Sequence, residues 1–365
     1  MARILAVGML PPPVGGQALL FQEATEHLAL THDVDVIDIQ LQSNLGDSGV
    51  MGAGKVLGLL KILLFRVLPL LFGRAHDILY YCPSGPSRFG VMKDILILPI
   101  LRAKTSRTVF HYHATGGPQY AFDHGGLLRR LGLWVYDRPD VAIRLAEGLT
   151  PDDPSVINAL EVRIVPNGIE DPVAVHGCRW TPPRDKVRLC YIGAITEGKG
   201  VFVIVDAVKM LLDRGIDIEA ILIGEGNERE VADLKTKIEL FGLRDRVVLA
   251  GLMFGRDKFE ALANSTLFCF PSFFGSETQP LAVTEAIALG VPVVATAWRA
   301  IPSIVQDGVS GFLVEPGRSD AVADAIERLI TSSHMQAFSE SGRAHFLRTF
   351  TKARFLEALE AAITR

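Results

Sequence analysis

The sequence predicts an α/β protein with two Rossmann-like domains, each built on a doubly wound parallel sheet. Short apolar runs of strand length alternate with longer helical stretches along most of the chain, and such alternation favours parallel sheets. One stretch rich in turn formers, between residues 166 and 185, interrupts the pattern near the middle. A chain of 365 residues that is 49% hydrophobic and 21% charged is long and apolar enough to fill two cores.

The first half contains six strand-like runs, and helical segments separate most of them. They predict an N-terminal domain over residues 1–170. The predicted strands lie at residues 4–7, 34–39, 78–81, 108–111, 141–144 and 162–164.

The second half repeats the pattern after a linker at residues 171–185, where turn formers replace the apolar period. It predicts a C-terminal domain over residues 186–349, and an amphipathic helix follows at 352–364. The predicted strands of this domain lie at residues 187–192, 219–223, 247–249, 267–270, 291–295 and 311–314.

The most informative unit of the chain is a strand, a loop, a helix and a second strand between residues 267 and 296. Pro280 suits the first turn of the helix, and Gly290 suits the position after its end. Glu277 falls in the loop at the carboxyl end of the strand, where open α/β sheets bind ligands, and Glu285 falls in the first turns of the helix. The backbone N–H groups between the two carboxylates form a natural anion site.

Basic residues are concentrated in one part of the chain, although the net charge is −4. Residues 51–130 contain eleven Lys or Arg and three Asp or Glu, a local balance of +8. Within them, segments 55–74 and 88–107 are apolar with interspersed basic residues, and charges recur too often for a transmembrane helix. We expect these segments to contact an anionic membrane surface. The alternative is an ordinary core helix whose basic side chains extend to solvent.

The cysteines and the first residues indicate a reducing, cytoplasmic environment. The cysteines show no Cys-x-x-Cys pairing, and most fall in apolar runs, which predicts buried free thiols. The apolar run at the start of the chain meets three prolines at residues 11–13, too early for the core of a signal peptide. The four cysteines are Cys82, Cys178, Cys190 and Cys269.

These motifs together resemble the retaining glycosyltransferases of GT-B fold that share a Glu-x7-Glu motif, the family 4-like group 1 enzymes. Glu277 and Glu285 match that motif, and the glycine-rich loop and active-site histidine strand of the family are similar to residues 12–17 and 110–116. The resemblance implies two domains facing across a cleft, with helix 350–365 packing back on the acceptor-side first domain. Further matching segments are residues 165–169, 191–200, 222–226 and 307–314.

The resemblance implies a metal-independent hexosyltransferase without a cofactor. Its partners would be a nucleoside-diphosphate-sugar donor and a saccharide or lipid-linked saccharide acceptor in bacterial cell-surface polysaccharide assembly, and not nucleic acid. Three residues take catalytic roles: Glu277 beside the reacting carbon, His113 at the donor sugar, and Lys199 at the leaving diphosphate. Glu285 would accept hydrogen bonds from the ribose. The other residues expected to bind the donor are Gly15, Gly16, Gly193, Gly224, Thr278, Gln279, Pro280 and Leu281.

Two departures from the family pattern keep other functions open. Ala194 stands where the family usually carries the Arg that binds the diphosphate, and Thr278-Gln279-Pro280 replaces the usual Gly-Phe-Gly. A catalytically weak nucleotide-binding subunit is therefore one alternative, and a nucleotide-sugar epimerase of the same fold is another. Residues 49–55 have the frame of a phosphate loop, but Val56 stands where Ser or Thr is required. His111 and His113 could ligate a metal, but no further ligands follow at informative spacing.

Overall fold

A computed structural model of the chain describes residues 1–13, 15–41, 52–113, 116–147, 149, 158–182 and 185–365. The chain divides into two compact units. The first unit comprises Met1–Asn167 together with Ala353–Arg365, and the second comprises Gly168–Lys352.

The first unit is built on a six-stranded parallel sheet with the order β2-β1-β3-β4-β5-β6. The predicted strands of this half are all present, with ends that differ from the prediction by at most three residues. Its strands are β1 (Arg3–Gly8), β2 (Asp33–Asp38), β3 (His76–Tyr81), β4 (Thr105–Tyr112), β5 (Val141–Arg144) and β6 (Glu161–Ile164).

Helices cover both faces of this sheet, as a parallel sheet requires. After α2 the chain continues through one π-helical turn (Leu63–Val67) and one 3-10 turn (Leu68–Phe72). The helices are α1 (Gly16–Leu28), α2 (Ala53–Ile62), α3 (Arg88–Ala103), α4 (Gly117–Asp123) and α5 (Gly126–Tyr136).

The second unit has a six-stranded parallel sheet with the order β12-β11-β10-β7-β8-β9. Its central strands are buried on both faces, and Leu267, Phe268 and Cys269 of β10 are fully enclosed. All the predicted strands are again present. They are β7 (Val187–Ile192), β8 (Ile218–Ile223), β9 (Val247–Gly251), β10 (Leu267–Phe270), β11 (Val293–Thr296) and β12 (Gly311–Val314).

The helices of the second unit pack on this sheet through one continuous hydrophobic core. They are α6 (Pro172–His176), α7 (Val201–Asp213), α8 (Glu228–Leu240), α9 (Gly255–Ala263), α10 (Leu281–Leu289), α11 (Ile301–Ile304), α12 (Ser319–Thr331) and α13 (Met335–Thr349). Helix α10 is apolar on nearly every side, so the core surrounds it.

Two details around α10 differ from the prediction. Pro280 precedes the helix instead of lying in its first turn, and the helix begins at Leu281. At the other end Gly290 adopts the left-handed conformation at φ 79°. The Val291 N–H then donates to the Ala286 carbonyl at 2.9 Å, which completes a Schellman cap. Val291 therefore belongs to the helix end, and β11 begins two residues later than predicted.

The last helix, α14 (Lys352–Thr364), has the predicted bounds and belongs to the first unit. Glu360 on this helix accepts a hydrogen bond from the Thr31 hydroxyl at 2.8 Å and lies 2.9 Å from His27 Nε2. The Arg163 guanidinium donates to the carbonyls of Ala361 and Ala362 in the final turn of the helix. These polar contacts, with the buried Phe355 and Ile363, fix α14 on the first unit.

The four cysteines are buried free thiols, as predicted. Within the described residues, no helix has both the length and the apolarity needed to cross a bilayer.

Candidate active site

The strand order of the second sheet determines where its functional loops meet. The chain runs from β7 outward to β9 in one direction, and β10 to β12 fill the other side. The loops after β7 and β10 therefore diverge from a single point at the carboxyl edge, the position where open α/β sheets bind ligands. Lys199 lies in the loop after β7 and Glu277 in the loop after β10. Their Nζ and Oε2 atoms are 2.7 Å apart.

The Glu277 carboxylate is enclosed and held at two points. Its side chain is 8% exposed, and the Ser272 hydroxyl donates to the same Oε2 atom at 2.8 Å. The Lys199 ammonium lies over the rings of Phe270 and Phe274, at 5.7 Å and 5.1 Å from their centroids. The ion pair is therefore preformed and largely shielded from water.

Close main-chain packing brings Lys199 to Glu277. Gly200 has φ 81°, and a Cβ atom there would lie 2.2 Å from the Pro271 carbonyl oxygen. The Phe273 N–H also donates to the Gly198 carbonyl at 2.8 Å, so the two loops are joined by backbone. A side chain at position 200 would push the loops apart, and glycine is required for this contact.

Gly193 and Gly224 lie side by side at the ends of β7 and β8. Gly224 has φ 146°, and a Cβ atom on it would lie 1.9 Å from the Gly193 carbonyl oxygen. The Ile195 N–H donates to the Glu225 carbonyl at 2.8 Å. These two predicted donor-binding glycines therefore fix the course of the loop that carries Lys199. Ala194 lies in the same loop with its side chain exposed.

A second, partly buried ion pair involves the other glutamate of the motif. Glu285 lies on α10, and its Oε1 atom is 2.7 Å from the Nζ atom of Lys258 on α9. The two side chains are 15% and 19% exposed. Sequence reasoning missed Lys258, because the pairing spans 27 positions and depends on how α9 packs beside α10. No motif in the sequence marks it.

The start of α10 lies between the two glutamates. Thr278 is half-buried, and Gln279 and Pro280 are buried. Proline has no N–H group, so Pro280 cannot donate to an anion, contrary to the role expected for the amides of residues 279–281. At this helix start, the N–H groups of Leu281 and Ala282 have no acceptor inside the helix. They supply the partial positive charge of the helix dipole.

The predicted residues of the first unit lie at the carboxyl ends of its strands. Gly15 precedes α1 in an extended conformation, and Gly16 is the first residue of that helix. His113 follows β4 and is 7% exposed. Burial lowers its pKa to about 4, so the ring is neutral at pH 7.

His113 belongs to a buried cluster that the sequence revealed only in part. The rings of His111 and His113 are 3.9 Å apart, and the ligand atoms of Cys82, His111 and His113 lie within 4.8 Å of one another. The Tyr80 hydroxyl lies 2.8 Å from His111 Nδ1. Burial lowers the pKa of His111 and raises that of Cys82 to about 12. A soft metal such as Zn²⁺ has suitable atom types here, but it would have to displace a tightly held thiol proton. Sequence reasoning missed Cys82 because it comes from the neighbouring β3.

Comparison with known proteins relates the second unit to a family. Residues 186–332 match the family model described as "Glycosyl transferases group 1". The alpha-D-kanosaminyltransferase of Streptomyces kanamyceticus is 30% identical over 152 residues, which are 42% of this chain and 38% of that protein. The amylovoran biosynthesis glycosyltransferase AmsK of Erwinia amylovora is 32% identical over 147 residues, 39% of this chain and 36% of that protein. The matched segment thus spans less than half the length of these curated relatives.

The likeness of fold extends over the whole chain. The structure of HepE from Anabaena, in complex with UDP and glucose, has a TM-score of 0.70 and covers 100% of both chains at 17% identity. It shows a shared fold. The second unit therefore carries the domain described by the group 1 glycosyltransferase model, and the whole chain has the GT-B fold.

Proposed function

We propose that this chain is a retaining, metal-independent hexosyltransferase. It would transfer a sugar from a nucleoside-diphosphate-sugar to a lipid-linked saccharide during assembly of a bacterial cell-surface polysaccharide. The observation that carries the proposal is the preformed Lys199–Glu277 pair at the point where the second sheet reverses its strand order. That point is where open α/β sheets bind nucleotides, and a nucleotide-sugar brings both an anion and a polar sugar.

The leaving group of the reaction is a nucleoside diphosphate, whose negative charge grows as the glycosidic bond breaks. Lys199 and the N–H groups of Leu281 and Ala282 would provide fixed positive charge. Their attraction for the leaving group would strengthen as its negative charge grows. Glu277 holds Lys199 in place, and it would also bind sugar hydroxyls and stabilise positive charge on the anomeric carbon. The Ser272 hydrogen bond restricts the rotation of that carboxylate.

Glu285 would accept hydrogen bonds from the ribose of the donor. Lys258 holds one oxygen of this carboxylate at 2.7 Å. The carboxylate is therefore oriented before the donor arrives, and the cost of ordering it on binding is reduced. In this proposal Lys258 is a positioning residue for the nucleotide.

His113 would contact the donor sugar as a neutral ring. Its pKa of about 4 excludes a cationic role at neutral pH, and it leaves one ring nitrogen as a donor and the other as an acceptor. Such a ring suits uncharged sugar hydroxyls better than a phosphate. Positive charge for the diphosphate must then come from other residues.

The relatives support the general class of reaction. The kanosaminyltransferase and the amylovoran glycosyltransferase are named for sugar transfer, and the HepE structure holds UDP and glucose. From these we propose a uridine nucleotide as the first donor to test. We also place the protein at the inner face of the plasma membrane, where a lipid-linked acceptor would be available.

The test is transfer from labelled UDP-, GDP- and ADP-sugars to a membrane extract, followed by NMR of the product to determine its anomeric configuration. We expect one donor to react with retention, without added metal and in the presence of EDTA. Glu277→Gln should abolish transfer. Glu239→Gln removes a carboxylate from an exposed pair with Arg244 and serves as the matched control. Absence of both transfer and nucleotide binding would contradict the proposal.

A nucleotide-binding subunit without turnover is the second candidate, and Ala194 favours it because a phosphate-binding Arg is missing there. For such a subunit we expect a nucleotide to raise the thermal midpoint, and we expect no transfer product from any donor. An epimerase would instead release a changed sugar without an acceptor. The same reactions, analysed with and without membrane extract, distinguish the three functions.

A further inference from the structure

Three helical segments cover one face of the first sheet side by side. They are α2 with the two turns that follow it as far as Phe72, α3, and α5. Helix α3 packs against the turns after α2 on one side and against α5 on the other. All three bury their inner sides in one core, to which they contribute Leu59, Val67, Ile97, Leu98, Leu101, Val135 and Tyr136. Their outer sides therefore form one surface, here called the basic apolar face.

The basic apolar face exposes large hydrophobic side chains that soluble surfaces rarely group together. Phe72 is 92% exposed, Phe65 is 73% exposed, and Trp134 on α5 is 60% exposed. Aliphatic residues from all three segments lie among them. The further exposed hydrophobic residues are Val56, Leu57, Leu60, Leu64, Leu71, Met92, Leu96, Leu127 and Leu131.

The charges on this face have one sign. The sequence has no Asp or Glu between residues 52 and 76 or between residues 124 and 136. The one acidic residue of α3, Asp94, is fully buried, where it accepts hydrogen bonds from Tyr81 and Tyr136. The exposed basic residues of the three segments are Lys61, Arg66, Arg88, Arg129 and Arg130.

We propose that the basic apolar face binds the surface of an anionic lipid bilayer, with its helices lying in the plane of the membrane. Leu, Phe and Trp side chains would enter the boundary of the acyl chains, and the basic side chains would pair with lipid headgroups. A protein partner fits less well, because its surface would need an apolar area of the same breadth with acidic residues matching these basic ones. The face extends across three segments, so it provides a broad footprint.

This inference rests on the proposed function for its biological purpose, since a lipid-linked acceptor would be presented at the same surface. The physical binding does not depend on sugar transfer, and the two can fail separately. Bound in this way, the first unit would meet its acceptor by diffusion within the membrane plane. A water-soluble acceptor would need no such contact.

The test uses the full-length protein and sedimentation with vesicles. Vesicles of phosphatidylglycerol and phosphatidylcholine in equal amounts are compared with vesicles of phosphatidylcholine alone, at about 50 and 500 mM salt, a range over which screening becomes strong. We expect strong binding to the anionic vesicles at low salt and at least tenfold weaker binding at high salt or without phosphatidylglycerol. Trp134 fluorescence should shift to the blue on binding, and Trp134→Phe should remove that shift.

Variants with matched controls locate the surface. Phe65→Glu combined with Phe72→Glu should weaken vesicle binding at least tenfold, whereas Leu240→Glu, at a position 79% exposed on α8, should change it less than twofold. Lys61→Gln with Arg130→Gln should reduce both binding and its salt dependence. The control for that pair is Lys235→Gln with Arg229→Gln, at exposed positions on α8.

Three results would overturn the inference. The first is failure of the folded wild-type protein to sediment with anionic vesicles at low salt. The second is equal binding by the wild-type protein and the Phe65 and Phe72 double variant. The third is self-association in analytical ultracentrifugation that the double variant abolishes without any vesicle binding, which would make a second copy of the chain the occupant. Unchanged circular dichroism and thermal midpoints would show that the variants fold.

Discussion

The Lys199–Glu277 pair allows stability and catalysis to be separated in one set of variants. Glu277→Gln removes the negative charge but keeps the side-chain length and an oxygen that can accept the Ser272 hydrogen bond. Lys199→Met removes the positive charge and keeps the apolar stem beside Phe270 and Phe274. The double variant removes both charges and leaves neither side chain with an unpaired charge in a shielded position.

The size of the coupling follows from the geometry. Two unit charges about 4 Å apart attract each other by roughly 4 kcal/mol at an effective dielectric constant of about 20. The Nζ and Oε2 atoms are 2.7 Å apart, but Lys199 is 20% exposed, so water and the desolvation of both groups offset part of the attraction. We expect a coupling free energy of about 1–3 kcal/mol in a double-mutant cycle. The double variant should therefore be more stable than the sum of the single losses predicts.

Activity should follow a different pattern. In the proposed mechanism each single variant loses a group that acts on the transition state, and removing one such electrostatic contact costs about 10²–10³-fold in kcat. The double variant restores no positive charge at the diphosphate, so its activity should remain as low as that of the worse single variant. Recovery of stability without recovery of transfer is the expected signature.

The assay is urea unfolding in a Trp134→Phe background, combined with initial rates of transfer. The remaining tryptophans, Trp180 and Trp298, both lie in the second unit, so fluorescence reports on that unit alone. Strictly additive losses of stability in the two single variants would show that the two side chains do not stabilise each other. Transfer by Glu277→Gln within tenfold of wild type would refute the catalytic role of Glu277.

Three further predictions follow from the same contacts. Lys258→Met should raise the KM for the donor several-fold with kcat little changed, because it disorders Glu285 and not the reacting groups; initial rates at varied donor concentration test this, with Lys235→Met as the control. Ala194→Arg should raise kcat for transfer at least tenfold, and Ala194→Gln should not, because only Arg adds a cation near the diphosphate. His113 alone should lower the unfolding free energy by about 3 kcal/mol as pH drops from 6.5 to 4, because the unfolded chain binds a proton there more readily than the folded chain, with its pKa of about 4; the buried His111, whose pKa is also lowered, adds to this fall. His113→Gln should lose that part of the pH dependence, measured by urea unfolding across this range.

The fold was largely predictable from local patterns, because each buried parallel strand is a short continuous apolar run. The errors occurred where a capping contact or the packing of the helix overrode a local sequence preference. Val291 is as apolar as the strand that follows it, but its N–H group completes the cap of α10. Pro280 suits a first helical turn by its fixed φ, but the helix starts one residue later.

The candidate site was predictable only where motif residues are close in sequence or resemble a family. Glu277, Glu285 and Lys199 were found in this way, but the partner of Glu285 was not. Lys258 reaches Glu285 because α9 packs beside α10, and no local pattern encodes that packing. Cys82 was missed for a similar reason, because its nearness to His111 depends on the pairing of β3 with β4.

The charges around the motif explain why position 194 matters. Glu277 and Glu285 are each paired with one lysine, so these four side chains contribute no net charge. A nucleoside diphosphate brings negative charge, and in the proposed function its binding would rely on the start of α10 and on Lys199, which would interact with both Glu277 and the phosphate. An arginine at position 194 would make the same group positive. Ala194 thus implies weak diphosphate binding by the second unit alone, and we expect nucleotide affinity to fall only modestly with salt, because few unpaired positive charges are available to the phosphates.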